Sequence, residues 1–122
     1  MAKGKGFWEG ERNKSELLML TVSELSEALE ALRKGHYADK DAVTELYQDI
    51  VLNKYDDEFN IMEGPWKAGF EKHIKSSFED ELADVAIRLF DMCGGLGVNL
   101  EKHVEMKMMY NSMREHKHGK KF

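Results

Sequence analysis

The sequence predicts an all-α protein, because apolar residues recur at helical spacing along most of the chain and no segment shows a convincing strand-like alternation. The chain has 122 residues, which suits one domain, and it contains a single proline, which leaves long segments free to form helices. We therefore expect a bundle of four to five helices.

The first helix is expected over about residues 13–34. Asn13 or Ser15 is a typical capping residue at its start, and Gly35 follows two basic residues that suit a helix C terminus. The main apolar stripe of this helix is expected to face a core and consists of Leu18, Thr21, Val22, Leu25, Ala28, Leu29 and Leu32.

A second helix is expected over about residues 40–55, and the segment 56–75 is expected to be less regular. Gly64 and Pro65 should break any helix in that segment.

A further helix, expected over about residues 78–93, is apolar almost all round. Ser76 and Glu79 resemble a capping box before it, and Gly94-Gly95 should end it. A helix of this kind is typical of the interior of a bundle or of a subunit contact, so we expect the bundle to be completed by oligomerisation.

Two acidic pairs lie where apolar faces are expected: Glu24 with Glu27 on the border of the first stripe, and Glu81 with Asp84 on the one polar stripe of the helix over 78–93. Buried carboxylates must be paired, protonated or bound to a cation. Arg88, one turn from Asp84, cannot balance all four, although a salt-bridge network around it is the alternative interpretation. Oxygen ligands without a Cys/His cluster favour Mg²⁺, with Mn²⁺ as a substitute.

The final helix, expected over about residues 100–115 with Asn99 as its cap, ends in a row of hydrogen-bond donors. Such a row suits a polyphosphate, and the alternative is an ordinary solvated helix end. The donors are Lys107, Tyr110, Asn111 and Arg114.

Composition excludes several classes of function. The formal net charge of −5 leaves no basic excess for general nucleic-acid binding. The one cysteine, Cys93, excludes an internal disulfide. Residues 1–12 lack the apolar segment of a signal peptide and no stretch resembles a membrane span, so we expect a cytoplasmic protein that binds neither nucleic acid nor membrane.

The ordered motifs E-x-x-E at residues 24–27, E-x-x-D at 81–84 and K-x-x-Y-N-x-x-R at 107–114 resemble those of the MazG-like all-α nucleoside triphosphate pyrophosphohydrolases. The resemblance covers the first helix and the chain from about residue 76 onward. It implies a single MazG-like domain over residues 1–122, with a variable insertion at about residues 36–75.

This resemblance also implies a reaction, the Mg²⁺-dependent hydrolysis of nucleoside or deoxynucleoside triphosphates to the monophosphate and pyrophosphate, in the service of nucleotide-pool cleaning. Family members commonly assemble as homodimers or homotetramers. The implied metal ligands and catalytic carboxylates are Glu24, Glu27, Glu81 and Asp84. The implied triphosphate contacts are Lys107, Tyr110, Asn111 and Arg114.

The nucleobase contacts are less well defined by the sequence. Trp8 can stack on a base while Asn13 or His36 reads its edge, although an aromatic residue near the N terminus is also typical of a packing anchor. Two other functions remain open: a phosphoribosyl-ATP pyrophosphohydrolase of the same fold, and a catalytically silent helical oligomerisation module.

Overall fold

The computed structural model describes residues 10–53 and 63–118, with side-chain surroundings for residues 13–52 and 64–114. Within these ranges the chain forms five helices and no strand, which confirms the all-α prediction. The helices are α1 (Gly10–Arg33), α2 (Lys40–Asn53), α3 (Glu63–His73), α4 (Phe78–Leu96) and α5 (Leu100–His118).

The main helix pair consists of α1 and α4, which pack against each other along their length. From Leu17 onward, the buried and half-buried residues of α1 recur at alternating spacings of four and three: Leu17, Thr21, Glu24, Ala28 and Ala31. From α4, Met92 and Cys93 are buried. Two of the α1 residues in this contact are alanines, which allow the two helices to approach closely.

A second row on α1 has the same spacing but is about half exposed, with side-chain exposures of 43–53%. This row, called the outer seam below, consists of Leu18, Val22, Leu25, Leu29 and Leu32. The sequence predicted that these five residues face a core together with Thr21 and Ala28. Ala28 is buried and Thr21 half-buried, whereas for the five residues of the outer seam the prediction is wrong in the single chain. The physical reason is that α1 carries two neighbouring apolar rows, and α4 covers the adjacent one.

Helices α2 and α3 form a hairpin of their own. The indole Nε1 of Trp66 donates a hydrogen bond to the carbonyl oxygen of Leu46 at 3.0 Å, and the ring stacks on Phe70 with 5.5 Å between centroids. The backbone N–H of Asp39, just before α2, donates to the carbonyl oxygen of His73 at 3.1 Å. The hairpin is therefore held together both along its length and at its open end.

The expected break at Gly64 and Pro65 is wrong, because both residues lie in the first turn of α3. The first N–H groups of a helix have no intrahelical acceptor, so a proline there loses no hydrogen bond.

The start of α4 is tied to the segment that follows α1. The backbone N–H of Phe78 donates to the carbonyl oxygen of His36 at 2.8 Å, and the N–H of Ala38 donates to Glu79 Oε1 at 2.9 Å. These bonds place the two ends of the α2–α3 hairpin side by side, next to the α1–α4 pair.

The ends of α4 differ from the prediction by a few residues. Its N-cap is Ser77, whose hydroxyl accepts from the N–H of Asp80 at 3.1 Å, while Asp80 Oδ2 accepts from the N–H of Ser76 at 2.8 Å. The predicted capping box with Ser76 and Glu79 is thus wrong by one position. The helix also continues through Gly94-Gly95 and ends at Gly97, whose φ of 74° is the left-handed conformation that closes a helix.

Of the predicted ends of α1 and α5, the start of α1 differs from the prediction, whereas the end of α1 and the start of α5 agree with it. The helix α1 begins at Gly10, so Asn13 and Ser15 lie inside it and neither is its N-cap. It ends before Gly35, as predicted, and the φ of Gly35 is 66°. The Asn99 cap of α5 is confirmed, because Asn99 Oδ1 accepts from the N–H of Lys102 at 3.1 Å.

Helix α5 packs little against the rest of the described chain. Every residue from 101 to 110 is exposed, and the exposed side chains include large apolar ones. These are Val104, Met106, Met108, Met109 and Met113, together with Tyr110.

Candidate metal centre

The packing of α1 on α4 brings three carboxylates together. One oxygen each from Glu24, Glu81 and Asp84 lies within 4.8 Å of the others, and all three residues are half-buried. Glu24 belongs to the row of α1 that faces α4, whereas Glu81 and Asp84 occupy adjacent turns of α4. Two motifs that are distant in the sequence therefore meet across one helix contact.

The spacing of these oxygens suits a divalent cation after a small adjustment. Oxygens that share one Mg²⁺ lie ~2.1 Å from the ion and hence no more than about 4.2 Å apart. The observed group, within 4.8 Å, is slightly wider than this limit. Small rotations of the carboxylate side chains would close it around the ion, so the residues present fit the predicted Mg²⁺.

Burial raises the pKa of Glu81, and the charge and hydrogen bond of neighbouring Asp84 raise it further. The charge of Glu27 adds to the same shift. Burial and the neighbouring carboxylates thus make the charged form of Glu81 unfavourable. A bound cation would relieve that repulsion.

Glu27, the fourth predicted ligand, lies one turn after Glu24 on α1 and is exposed. The structure does not include it in the group of three, although its charge reaches Glu81. Its predicted ligand role stays a prediction.

Arg88 is the one basic residue that contacts this group among the described side chains. Its Nε donates to Glu24 Oε2 at 3.1 Å, with 49% of the arginine side chain and 20% of the glutamate side chain exposed. The sequence placed Arg88 one turn from Asp84 and allowed a salt-bridge network with the four carboxylates as the alternative interpretation, and the structure shows one ion pair of that network, to Glu24. The polar stripe of α4 predicted that Arg88 lies near the carboxylates. Which carboxylate it contacts depends on the register of α1 against α4, which the sequence does not give.

The predicted triphosphate contacts all lie on α5. Lys107 Nζ and Arg114 Cζ lie 5.1 Å and 5.7 Å from the centroid of the Tyr110 ring, and Asn111 is half-buried. Among the described residues, no hydrogen bond or ion pair connects these side chains to the three carboxylates. The donor row thus lies on one helix and makes no direct hydrogen bond or ion pair to the three carboxylates in the described part of the chain.

Of the two predicted base-binding residues, only Asn13 belongs to the described part of the chain. Trp8 lies outside the described residues. Asn13 is half-buried near the start of α1, roughly 16 Å along the helix axis from Glu24 at 1.5 Å per residue.

None of the helices in the described ranges combines the length and apolar character needed to cross a membrane. Comparisons with protein-family models, curated proteins and solved structures found no match for this chain. The resemblance to MazG-like enzymes therefore stays a prediction that rests on the three ordered motifs.

Proposed function

We propose that this protein is a Mg²⁺-dependent nucleoside triphosphate pyrophosphohydrolase that releases the monophosphate and pyrophosphate. The observation that carries the proposal is the convergence of Glu24, Glu81 and Asp84 across the α1–α4 contact. Acidic side chains are common in this chain, with 23 aspartates and glutamates. Support therefore comes from three half-buried carboxylates that point at one another, each drawn from a motif of the proposed family.

In the proposed reaction, Glu24, Glu81 and Asp84 would hold the ion. The bound Mg²⁺ would neutralise charge on phosphate oxygens and lower the pKa of a water molecule at the site. The residues of α5 contact the triphosphate in the proposed enzyme: Arg114 offers a planar fork, Lys107 a point charge, and Tyr110 and Asn111 orienting hydrogen bonds.

The proposal includes self-association as a homodimer or homotetramer. The outer seam of α1 is a row of leucine and valine side chains with coiled-coil spacing that no helix of the described chain covers. On α4, Ile87 and Phe90 are also exposed, at 56% and 61%. Two copies of a helix pair with such faces form a four-helix bundle when their apolar rows meet.

A product analysis tests the reaction. The purified protein is incubated with each canonical and several modified nucleoside triphosphates plus Mg²⁺, and the products are separated by ion-exchange chromatography. We expect monophosphate and pyrophosphate in equal amounts, and loss of both products in Glu24→Gln and Asp84→Asn.

The matched control is Glu45→Gln, which changes an exposed carboxylate of α2 away from the centre and should keep wild-type turnover. Release of orthophosphate instead of pyrophosphate, or no turnover with Mg²⁺ or Mn²⁺, would contradict the proposal.

A catalytically silent oligomerisation module is the second candidate, and one observation favours it. The ion pair between Arg88 and Glu24 shows that part of the acidic charge is already neutralised within the chain. A silent module would self-associate through the outer seam, yet Mg²⁺ would leave its melting temperature unchanged. The proposed enzyme would be stabilised by Mg²⁺.

A further inference from the structure

Arg88 pairs with one of the three carboxylates, Glu24, and remains partly exposed to solvent. Its Nε holds Glu24 Oε2 at 3.1 Å across the helix contact, while about half of its side chain, 49%, stays exposed. Glu24 is the more buried partner, with 20% of its side chain exposed. The arginine thus pairs with the more buried carboxylate through one N–H group while about half of its own side chain stays exposed.

Only a fraction of the hydrogen-bonding capacity of Arg88 is used in this contact. A guanidinium has five N–H donors, and among the described side chains only Glu24 accepts from it, through Nε. The four N–H groups on the two Nη atoms form a planar fork that matches a phosphate or carboxylate.

The same carboxylate serves two cations in the proposed enzyme. Glu24 belongs to the group that would hold Mg²⁺, and its Oε2 is the atom that Arg88 occupies. An ion bound by Glu24 would lie within a few ångströms of the guanidinium, where two positive charges repel each other. Arg88 and the ion therefore compete for Glu24.

We propose that Arg88 is an exchangeable counter-ion: it pairs with Glu24 when no cation is bound, and it transfers to a phosphate oxygen of the ligand when a divalent cation takes Glu24. This inference rests on the proposed function, because the cation and the phosphate are those of the proposed reaction. Arg88 is then a ligand-binding residue in addition to the donors of α5, and it is supplied by the helix that carries Glu81 and Asp84.

The exchange makes cation binding and phosphate binding mutually supportive. A phosphate that draws Arg88 away frees Glu24 for the cation, and a cation that displaces Arg88 frees the fork for the phosphate. By thermodynamic linkage each ligand must raise the affinity for the other by the same factor.

The experiment measures Mn²⁺ affinity from its electron paramagnetic resonance signal, with and without inorganic phosphate, and corrects for Mn²⁺ that phosphate binds in protein-free samples. For the wild type, phosphate should tighten Mn²⁺ binding by at least about fivefold, the lower end of typical coupling. Arg88→Gln should bind Mn²⁺ alone more tightly than the wild type by a similar factor, and phosphate should no longer improve that affinity.

Two further variants make the result specific. Arg33→Gln removes an exposed arginine that is paired with Glu30 at 4.0 Å on α1, and it should behave as the wild type. Arg88→Lys keeps the charge but removes the fork, so it should bind Mn²⁺ alone as the wild type does and show weaker coupling to phosphate. This variant also decides the question if Arg88→Gln fails to fold.

Each possible failure has its own signature. If the wild type hydrolyses nucleoside triphosphates and binds Mn²⁺, but Arg88→Gln leaves both Mn²⁺ affinity and phosphate coupling unchanged, the exchange is wrong while the proposed function stands. The same holds if Arg88→Gln weakens Mn²⁺ binding, because Arg88 would then be a structural brace for Glu24. If the wild type binds no Mn²⁺, both proposals are overturned.

Discussion

Glu79 Oε1 accepts a hydrogen bond from the backbone N–H of Ala38 at 2.9 Å, and this bond fastens the first turn of α4 to the segment that follows α1. The bond also lowers the pKa of the Glu79 carboxyl, since the N–H group stabilises the charged form. Glu79 is two residues before Glu81, so this hydrogen bond helps to fix the turn of α4 that carries Glu81 of the candidate metal centre.

Glu79→Gln should lower the stability of the protein at neutral pH. It should also reduce the amount of stability that is lost when the pH falls from 7 to 3. A carboxyl whose folded pKa is lowered contributes stability that is present above its unfolded pKa, 4.5, and is lost as the pH falls through the lower folded value. Because the side chain is exposed, we expect a loss of at most about 1 kcal/mol. Thermal melts at pH 7 and pH 3 measure it, with Glu45→Gln as the control; equal melting temperatures for wild type and variant at pH 7 would contradict the prediction.

Glu81→Gln should have the opposite effect in metal-free buffer. The folded pKa of Glu81 is raised above 4.5, so its contribution to stability is greatest below pH 4.5 and is lost as the pH rises through the folded value. Removing the charge should therefore raise the melting temperature at pH 7 by a few degrees, since about 1 kcal/mol corresponds to ~4 °C for a domain of this size. The gain should disappear at pH 4; a lower melting temperature for the variant at pH 7 in the presence of a chelator would show that the shift has another cause.

Mg²⁺ should stabilise the wild-type protein, because an ion that binds only the folded state adds about 1.4 kcal/mol at ten times its dissociation constant. Glu24→Gln and Asp84→Asn should abolish this stabilisation. Glu27→Gln should keep a measurable part of it, since Glu27 lies outside the group of three carboxylates. Melting curves over a Mg²⁺ titration measure the effect, and equal losses in Glu27→Gln and Glu24→Gln would make Glu27 a full ligand.

Leu25→Lys should reduce the oligomeric state of the protein. Leu25 is at the centre of the outer seam and is 48% exposed in the single chain, so a lysine there costs little unless a second copy covers it. Met19→Lys is the matched control, because Met19 is 60% exposed and lies on another side of α1. Sedimentation velocity at several concentrations measures the association. A wild type that is monomeric at micromolar concentration would contradict the proposal that the outer seam is an interface between copies.

Helical periodicity predicted where most helices form, because it depends only on residues close in sequence. The exact ends were less predictable. Pro65 and Gly94 are helix breakers in general, yet each is tolerated at its place: Pro65 in a first turn, and Gly94 inside a helix whose terminating residue is Gly97. Which glycine adopts the left-handed conformation is decided by the packing of the whole helix.

The candidate site was predictable to the extent that it depends on one helix contact. Glu24 meets Glu81 and Asp84 because the acidic pair of α1 and the acidic pair of α4 each lie beside the apolar face of their helix, and these two faces pack together. The positions of Glu27 and of the α5 donors depend on which row of α1 another helix covers. The two rows of α1 have the same spacing, so the sequence does not show which of them is covered, and long-range packing decides it. The sequence allowed Arg88 to pair with any of the four carboxylates, and the packing of α1 on α4 selects Glu24.

The hydrogen bond between the N–H of Phe78 and the carbonyl oxygen of His36, 2.8 Å long, joins the chain just before the α2–α3 hairpin to the chain just after it. The chain leaves the α1–α4 pair and returns to it at almost the same point. The entropy of closing such an excursion grows only slowly with its length. We therefore expect that lengthening or shortening the α2–α3 hairpin of this chain costs little stability and leaves the group of Glu24, Glu81 and Asp84 in place.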